Sequence, residues 1–367
     1  MNFMKTRRPM VIKLVLLCIF VAAAVTFTAH DSRFYRQPVG KVTAVTEDNV
    51  SGAAGTSGEK TYTRQLTLTL QNTEYKGQTV SITNTYTTSL FRTSAYHKGE
   101  YLFLKLNTNA SGIRSAQILQ VKLDVIWALL LSVFISLVIL IASRRSLLIF
   151  ASLALNLLVF ILGMRGLYHG THAAVLTAVL TAVFITAALL LLNGSTAKSW
   201  GAILSSLATV LLVVGLYELI LQFTAPPAYE FIDYANGNEP LESYYLASLV
   251  FAILGAVTDV AITIHAAVSE ITATASDLRL RDIVQSIRAI SNDIMGTMIN
   301  VLFFTFICGE LPVSILKLAN GYSMVTLFKY GAEFEIIRFL TGAIGIAAAI
   351  PISGFFAVLL KKGALRK

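Results

Sequence analysis

Long apolar runs separated by short polar breaks occupy most of the chain. The first run covers about residues 10–29, and after residue 122 seven more lie near residues 123–142, 147–165, 172–192, 200–221, 244–268, 292–312 and 335–360. A helix of roughly 20 apolar residues is long enough to cross the hydrocarbon layer of a membrane. The pattern therefore predicts a polytopic α-helical membrane protein with about eight transmembrane helices.

Residues 31–122 interrupt this pattern with an alternation of period two. Threonine, valine and tyrosine are frequent in residues 62–70, 79–83 and 101–106, and glycines and asparagines separate these runs. Alternation bounded by turn residues is typical of short strands. We predict five or six strands that form a small all-β domain, with residues 52–58 as a flexible loop. An oligonucleotide/oligosaccharide-binding (OB) barrel is the first interpretation, and the domain is either a ligand-binding module or a spacer.

Residues 269–291 lie between two apolar runs and differ from both. Residues 276–282 read Ser-Asp-Leu-Arg-Leu-Arg-Asp, so that charged and apolar positions alternate. We expect an amphipathic helix on the membrane surface or a re-entrant segment here.

The amino-terminal run follows three basic residues, Lys5, Arg7 and Arg8. This arrangement fits a signal peptide or a signal anchor. The run is long for a signal peptide and lacks a good Ala-x-Ala site, which favours an uncleaved anchor. The predicted domains are thus an anchor at 1–30, an extracytoplasmic β domain at 31–122 and a seven-helix membrane domain at 123–367.

Basic residues are distributed unevenly between the breaks, and the positive-inside rule converts this into an orientation. The segment 222–243 contains no Lys or Arg and four acidic residues, whereas residues 313–334 contain Lys317 and Lys329. With both termini in the cytoplasm, the cytoplasmic segments hold Lys5, Arg7, Arg8, Arg144, Arg145, Lys198, Arg279, Arg281, Arg288, Lys361, Lys362, Arg366 and Lys367. The β domain is then outside the cell membrane.

Composition agrees with this architecture and excludes a soluble globular protein. Hydrophobic residues make up 55% of the chain and charged residues only 13%. The net charge of +9 is explained by membrane orientation, so we expect no nucleic-acid partner. Cys18 and Cys308 have no metal-ligand spacing. Phosphate-binding loops, zinc-protease signatures and nucleophile elbows are missing, so neither an enzyme nor a cofactor is indicated.

Polar residues inside two predicted spans are the candidates for function. Asp259 and Thr263 lie on one face of the sixth span, and Asp293, Thr297 and Asn300 follow the same helical spacing in the seventh. Acidic and hydroxyl oxygens in a span can line a path for protons or cations. Alternatively, these groups form hydrogen bonds that hold the helices together. His265 is interpreted as a packing residue.

The carboxy-terminal half resembles the YibE/F family of bacterial multi-pass membrane proteins. The resemblance rests on Gly-Ala-Val-Thr-Asp-Val-Ala-Ile-Thr-Ile at 255–264, Asp-Ile-Met-Gly-Thr-Met-Ile-Asn at 293–300, Gly-Glu-Leu-Pro at 309–312 and the segment from Glu333 to Pro351. Thr258 and Thr263 depart from the expected Met-Asp-Val-x-Met-Ser, and Ile299 replaces a usual Thr. The leading anchor and β domain are similar to those of longer, YibE-like members.

The resemblance implies a protein of the bacterial plasma membrane. It does not indicate which reaction or transport process the protein carries out. It also implies a partner, either a shorter YibE/F-like paralogue or a second copy of the chain. In the family's carboxy-terminal segment, Glu335 and Arg338 are three residues apart, within reach of each other on a helix. We expect a structural ion pair there, which could also involve Glu310 or Asp293.

Two hypotheses follow. The first is a transporter or channel-like protein for a cation, a proton or a small solute, with the polar residues of the two spans along its path. The second is an envelope scaffold or sensor whose external β domain binds a partner. No motif supports a membrane enzyme.

Overall fold

The computed structural model describes residues 3–46, 49–53, 60–88, 90, 93–109, 112–142, 145–168, 172–223, 227, 229, 241–274 and 279–364. Contacts within the chain define two compact units, Met1–Ser146 and Leu147–Lys367. The helix of residues 124–142 therefore groups with the β domain and the first helix, whereas the sequence analysis assigned it to the membrane domain.

The first unit contains an antiparallel sheet of six strands. They are β1 (Val39–Val45), β2 (Asn49–Ala53), β3 (Lys60–Leu70), β4 (Thr79–Thr87), β5 (Tyr101–Asn109) and β6 (Gly112–Val121). β1 and β2 pair one after the other with the same edge of β3, so together they occupy the place of one strand. Gly52 belongs to β2, and the rest of the predicted 52–58 loop lies outside the described residues.

The sheet curls into a nearly closed barrel, as the sequence pattern predicts. Strand β3 pairs with β4 on one side and β1 on the other, and β1 continues through β5 to β6. The two end strands, β4 and β6, approach each other across the remaining gap. With β1 and β2 counted as one strand, this is the strand order of an OB-type barrel.

Alternating leucines fill the barrel because every second side chain of a strand points inward. Leu66, Leu68 and Leu70 of β3 are buried against Leu102 and Leu104 of β5. The threonines between them face outward, which explains the period-two pattern in the sequence.

Two helices complete the first unit. α1 (Phe3–Ala29) packs against α2 (Asp124–Ala142), and Lys13 Nζ donates a hydrogen bond to the carbonyl oxygen of Ile139 at 2.7 Å. A short 3₁₀ helix, Asp31–Phe34, leads from α1 into the barrel.

A buried ion cluster joins the barrel to both helices. Lys122, at the end of β6, lies 2.7 Å from Asp31 and 3.3 Å from Asp124, the first residue of α2. Its Nζ also donates to the carbonyl oxygen of Thr28 at 2.6 Å. The Tyr35 hydroxyl donates to both carboxylates. Since the lysine side chain is only 3% exposed, these contacts fix the barrel relative to the ends of α1 and α2.

The second unit is helical. Its elements are α3 (Ser146–Tyr168), α4 (Ala173–Asn193), α5 (Ala197–Phe223), α6 (Leu241–Thr274), α7 (Leu280–Ala319), α8 (Met324–Leu327), a π-helical turn at Phe328–Ala332, and α9 (Glu333–Ala364). Within the described parts of both units, eight helices are long and apolar enough to span a membrane. This confirms the predicted polytopic α-helical membrane protein with a small β domain.

Two predicted boundaries are wrong. Residues 269–291 do not form a separate surface helix, because α6 continues to Thr274 and α7 begins at Leu280. Of its charged residues, Glu270 lies near the end of α6, and Arg281, Asp282 and Arg288 lie in the first turns of α7. α7 also continues past Pro312 to Ala319, since a proline removes only one backbone hydrogen bond and apolar residues follow it.

The core of the second unit lies between α5, α6, α7 and α9. The fully buried α6 residues Leu249, Ile253, Val257 and Ile264 form its centre. Small residues of α9 allow close packing: a Cβ at Gly342 would lie 2.5 Å from Leu302 Cδ2 of α7.

Candidate functional site: a cleft between three helices

Asp259 lies near the middle of α6 and its side chain is exposed rather than buried in the core. The described residues provide no hydrogen bond or ion pair to its carboxylate. One turn later on the same face, Thr263 Oγ1 donates to the carbonyl oxygen of Asp259 at 2.7 Å. Thr263 is therefore satisfied within its own helix, and the aspartate remains available to a ligand.

The Asp259 carboxylate lines an open cleft between α3, α4 and α6. The cleft has a volume of about 400 Å³ and extends to Asn193, the last residue of α4. Its walls are mostly apolar, with Phe184 and Leu189 from α4 and Ile262 from α6. A carboxylate oxygen is a suitable ligand for a hard cation, and ionisable groups inside a span are often part of an ion or substrate path.

Asn156 of α3 supplies a second polar group to this cleft. Its Oδ1 atom is buried and has no hydrogen-bond partner in the described part of the chain. This amide oxygen can accept a hydrogen bond from a group that enters the cleft. The sequence analysis missed this residue, although a single asparagine within the apolar run 147–165 was a detectable signal.

Thr258 completes the polar part of the cleft. Its Oγ1 donates to the carbonyl oxygen of Leu254 at 2.7 Å, which leaves the oxygen lone pairs as acceptors. The polar groups of the lining are thus one carboxylate and one hydroxyl from α6 and the amides of Asn156 and Asn193 from α3 and α4. These are oxygen ligands of the kind that protons and hard cations use.

The polar residues of α7 lie on a different surface. Asp293, Thr297 and Asn300 are all exposed on the side opposite the buried residues of that helix. Thr297 donates to the carbonyl oxygens of Asp293 and Ile294, and Asn300 donates to that of Gly296. Among the described contacts, no hydrogen bond or ion pair connects this group to Asp259 or Thr263. The structure therefore does not bring the two predicted groups together.

Arg338, at the start of α9, interacts with several groups at once. It forms an ion pair with Glu335 at 2.5 Å and donates to Ser248 Oγ of α6 at 3.2 Å. Its guanidinium also lies 5.4 Å from the ring centre of Tyr245. Glu310 instead accepts a hydrogen bond from Ser314 in its own helix. These contacts connect α9 to α6, and the residues that make them do not line the cleft.

His265 has a more specific environment than a packing residue. Its side chain is buried, and Nε2 lies 2.9 Å from Ser205 Oγ of α5.

The acidic residues Glu230, Asp233 and Glu239 of the predicted external segment lie outside the described residues. Within the described ones, no group of three or more His, Cys, Asp and Glu side chains could hold a metal ion.

Two family models match the chain. The model described as YibE/F family N-terminal domain matches residues 33–121, which contain all six strands. The model described as YibE/F-like protein matches residues 130–363, which contain most of α2 and the helices of the second unit. No curated protein and no solved structure matches the chain.

Proposed function

The chain belongs to the YibE/F family of membrane proteins, and from that premise we propose that it is a transporter or channel-like protein. Its substrate is a proton, a hard cation or a small solute that binds in the cleft between α3, α4 and α6. The proposal assigns no covalent reaction and no cofactor. That the chain is an integral, multi-pass membrane protein follows from the family and the eight apolar helices.

One observation carries the proposal: the carboxylate of Asp259, which has no partner among the described residues, lines a cleft near the middle of a long apolar helix. An ionisable group in a span is costly unless it faces water, a ligand or another polar group. The cleft provides the space, and Asn156 and Thr258 provide further oxygen ligands. Asp259 binds the substrate, and the two neutral side chains orient it.

The proposed topology follows from the basic residues. Both termini are cytoplasmic, and the β domain is outside the plasma membrane of a bacterium. Asn193, at one end of the cleft, is followed directly by the connection 194–196, which is cytoplasmic in this topology, so the cleft lies in the cytoplasmic half of the membrane. We further propose that a second copy of the chain or a shorter family member completes the path, with Asp293, Thr297 and Asn300 of α7 facing that partner.

A test of the cleft uses two glycines that have open space around them. A Cβ at Gly255, in the cleft, or at Gly215, on α5 away from it, would meet no atom within 4 Å. The substitutions Cys18→Ser and Cys308→Ser first remove the two native thiols. In this background, one of the two glycines at a time is replaced by cysteine. Each variant is then reconstituted into liposomes for proton and metal-ion flux measurements. We expect a methanethiosulfonate reagent to block flux through Gly255→Cys and to leave Gly215→Cys unchanged. Equal effects on both variants would contradict the proposed path.

A second candidate function is an envelope sensor. It is favoured by the buried Lys122 cluster, which fixes the barrel to α1 and α2, so that a partner bound to the barrel would act directly on these helices. A cleft of about 540 Å³ on the barrel, lined in part by Arg36, Glu74 and Lys105, is a site for such a partner. On this reading, removal of residues 31–122 abolishes function while Asp259→Asn does not.

A further inference from the structure

His265 lies at the bottom of a second cleft, on a different side of α6 from Asp259. This cleft has a volume of about 360 Å³ and lies where α5 begins and α6 ends. Thr196, just before α5, Lys198 of α5, and Ser269 and Thr272 of α6 give it a hydrophilic lining. The imidazole is only 4% exposed, yet it contributes to the wall of a space that water can enter.

The ring is held tightly against the backbone of α5. A Cβ at Gly201 would lie 2.3 Å from His265 Cε1 and 2.6 Å from Nδ1, so no side chain fits there. Leu360 of α9 packs against the same glycine. The imidazole can therefore lie directly against α5 because residue 201 has no side chain.

Ser205 gives the ring a hydrogen-bond partner that can adapt to either protonation state. Its Oγ lies 2.9 Å from His265 Nε2 and 2.7 Å from the carbonyl oxygen of Gly201. When the hydroxyl donates to Gly201, its oxygen can accept from Nε2–H; when it donates to Nε2, that nitrogen carries no proton. Turning one hydroxyl group is therefore enough to satisfy Nε2 in both states.

We infer that His265 is a proton-binding site that is loaded from this cleft. A hydronium ion in the cleft gives up a proton, which binds the ring nitrogen that carries none in the neutral state, and water is left. The resulting imidazolium donates from Nε2 to Ser205, and the Ser205 hydroxyl donates to Gly201. Release reverses these steps. The inference does not depend on Asp259 and goes beyond the proposed path.

The charged groups around the ring are few. Lys198 of α5 is the one charged residue among the described residues that line the cleft. α9 contributes Ala357 and Leu360, which are neutral, and α6 contributes Ser269 and Thr272. The side chains of Lys361 and Lys362, at the end of α9, lie outside the described set. No carboxylate of the lining competes with His265 for the proton.

The test is a titration of the full-length chain in lipid nanodiscs, with ¹⁵N-labelled histidine. The chain has five histidines, and the signals of His265 are those that disappear in His265→Gln. We expect the ring to change from neutral towards imidazolium as the pH is lowered from about 8 to about 4. A ring that stays neutral throughout this range, in folded protein, would overturn the inference.

Two neighbouring hydroxyls provide a matched pair of variants. Ser205→Ala removes the partner of Nε2 and is expected to move the midpoint by on the order of one pH unit, the size of a hydrogen bond to a charged group. Ser206→Ala removes the next hydroxyl, which is also buried but has no hydrogen-bond partner in the described residues. We expect no shift there. Equal shifts in the two variants would also overturn the inference. If His265→Gln does not fold, the signals of His265 are identified as those whose midpoint changes in Ser205→Ala and not in Ser206→Ala.

Discussion

At the scale of single residues, Gly201 shows how one missing side chain shapes the second unit. Its Cα faces the imidazole of His265 so closely that a methyl group would overlap the ring. Gly215 lies on the same helix with nothing near its missing side chain. Comparing an alanine substitution at each of the two glycines therefore separates the effect of local packing from the general effect of alanine on a helix.

We expect Gly201→Ala to lower the free energy of unfolding by about 1–3 kcal/mol, because the added methyl group forces the histidine out of place. Gly215→Ala is expected to be neutral or slightly stabilising, since alanine favours helices. Thermal unfolding in detergent micelles measures both. A stable Gly201→Ala protein with the native Ser205–His265 contact would contradict the packing described above.

In the first unit, Lys122 is a single residue on which the local packing depends. Lys122→Met leaves the carboxylates of Asp31 and Asp124 without their cation and should destabilise the unit by about 3–5 kcal/mol. Lys105→Met, at an exposed position of β5, is the control and should change the stability by less than about 0.5 kcal/mol. Limited proteolysis of the barrel and thermal unfolding give the two values, and equal values would show that the cluster does not hold the barrel in place.

Tyr35 makes the same cluster sensitive to high pH. Its hydrogen bond to Asp124, its burial and its hydrogen bond to Asp31 raise the pKa of the phenol above the usual value of 10.0. A raised pKa in the folded state contributes stability below pH 10, and this contribution is lost as the pH rises further. Wild-type protein should therefore lose more stability above about pH 10 than Tyr35→Phe. Parallel stability curves of the two proteins at high pH would disprove this role.

At the scale of elements, the sequence predicted which segments are helices and strands but not where two of them end. The apolar runs correspond to the eight long helices, and the period-two segments correspond to strands, because burial in lipid and in a barrel imposes these patterns directly. The segment 269–291 was misassigned because its charges indicate a water-exposed surface, which the end of a long membrane helix also provides.

The candidate site shows a related limit. Helical spacing correctly groups Asp293, Thr297 and Asn300 on one face, but spacing cannot tell whether that face points into the bundle or away from it. The structure places it on the outside of α7. Asp259, in contrast, lines a cleft whose other walls come from helices far away in the sequence. Only the packing of α4 against α6, with Asn156 of α3 beside them, reveals that cleft.

Two leucines of α7 test the packing of this element. Leu302 is buried against Gly342 of α9, whereas Leu311 is half exposed on the same helix. We expect Leu302→Ala to cost about 2–5 kcal/mol and Leu311→Ala less than about 1 kcal/mol, as measured by unfolding in micelles. Similar losses for both would mean that α7 packs against the bundle through a different face.

At the scale of the whole molecule, the chain combines a rigidly mounted barrel unit with a helical unit that contains two separate clefts. One cleft contains the unpartnered carboxylate of Asp259, and the other contains the hydrogen-bonded imidazole of His265. Both are open and both include a group that can bind a proton. Membership of the YibE/F family and the eight apolar helices place these groups in a membrane protein, where such groups are expected to serve transport.

The most direct test of this account is proton and metal-ion flux in proteoliposomes, measured for the wild type, Asp259→Asn and Glu270→Gln. Glu270 lies on the same face of α6 but outside the cleft, so its variant controls for the loss of a negative charge. The account predicts that the wild type and Glu270→Gln carry flux, whereas folded Asp259→Asn falls to the level of empty liposomes. Full flux in Asp259→Asn, or no flux of any ion in the wild type, would contradict it and move the search for function to the barrel.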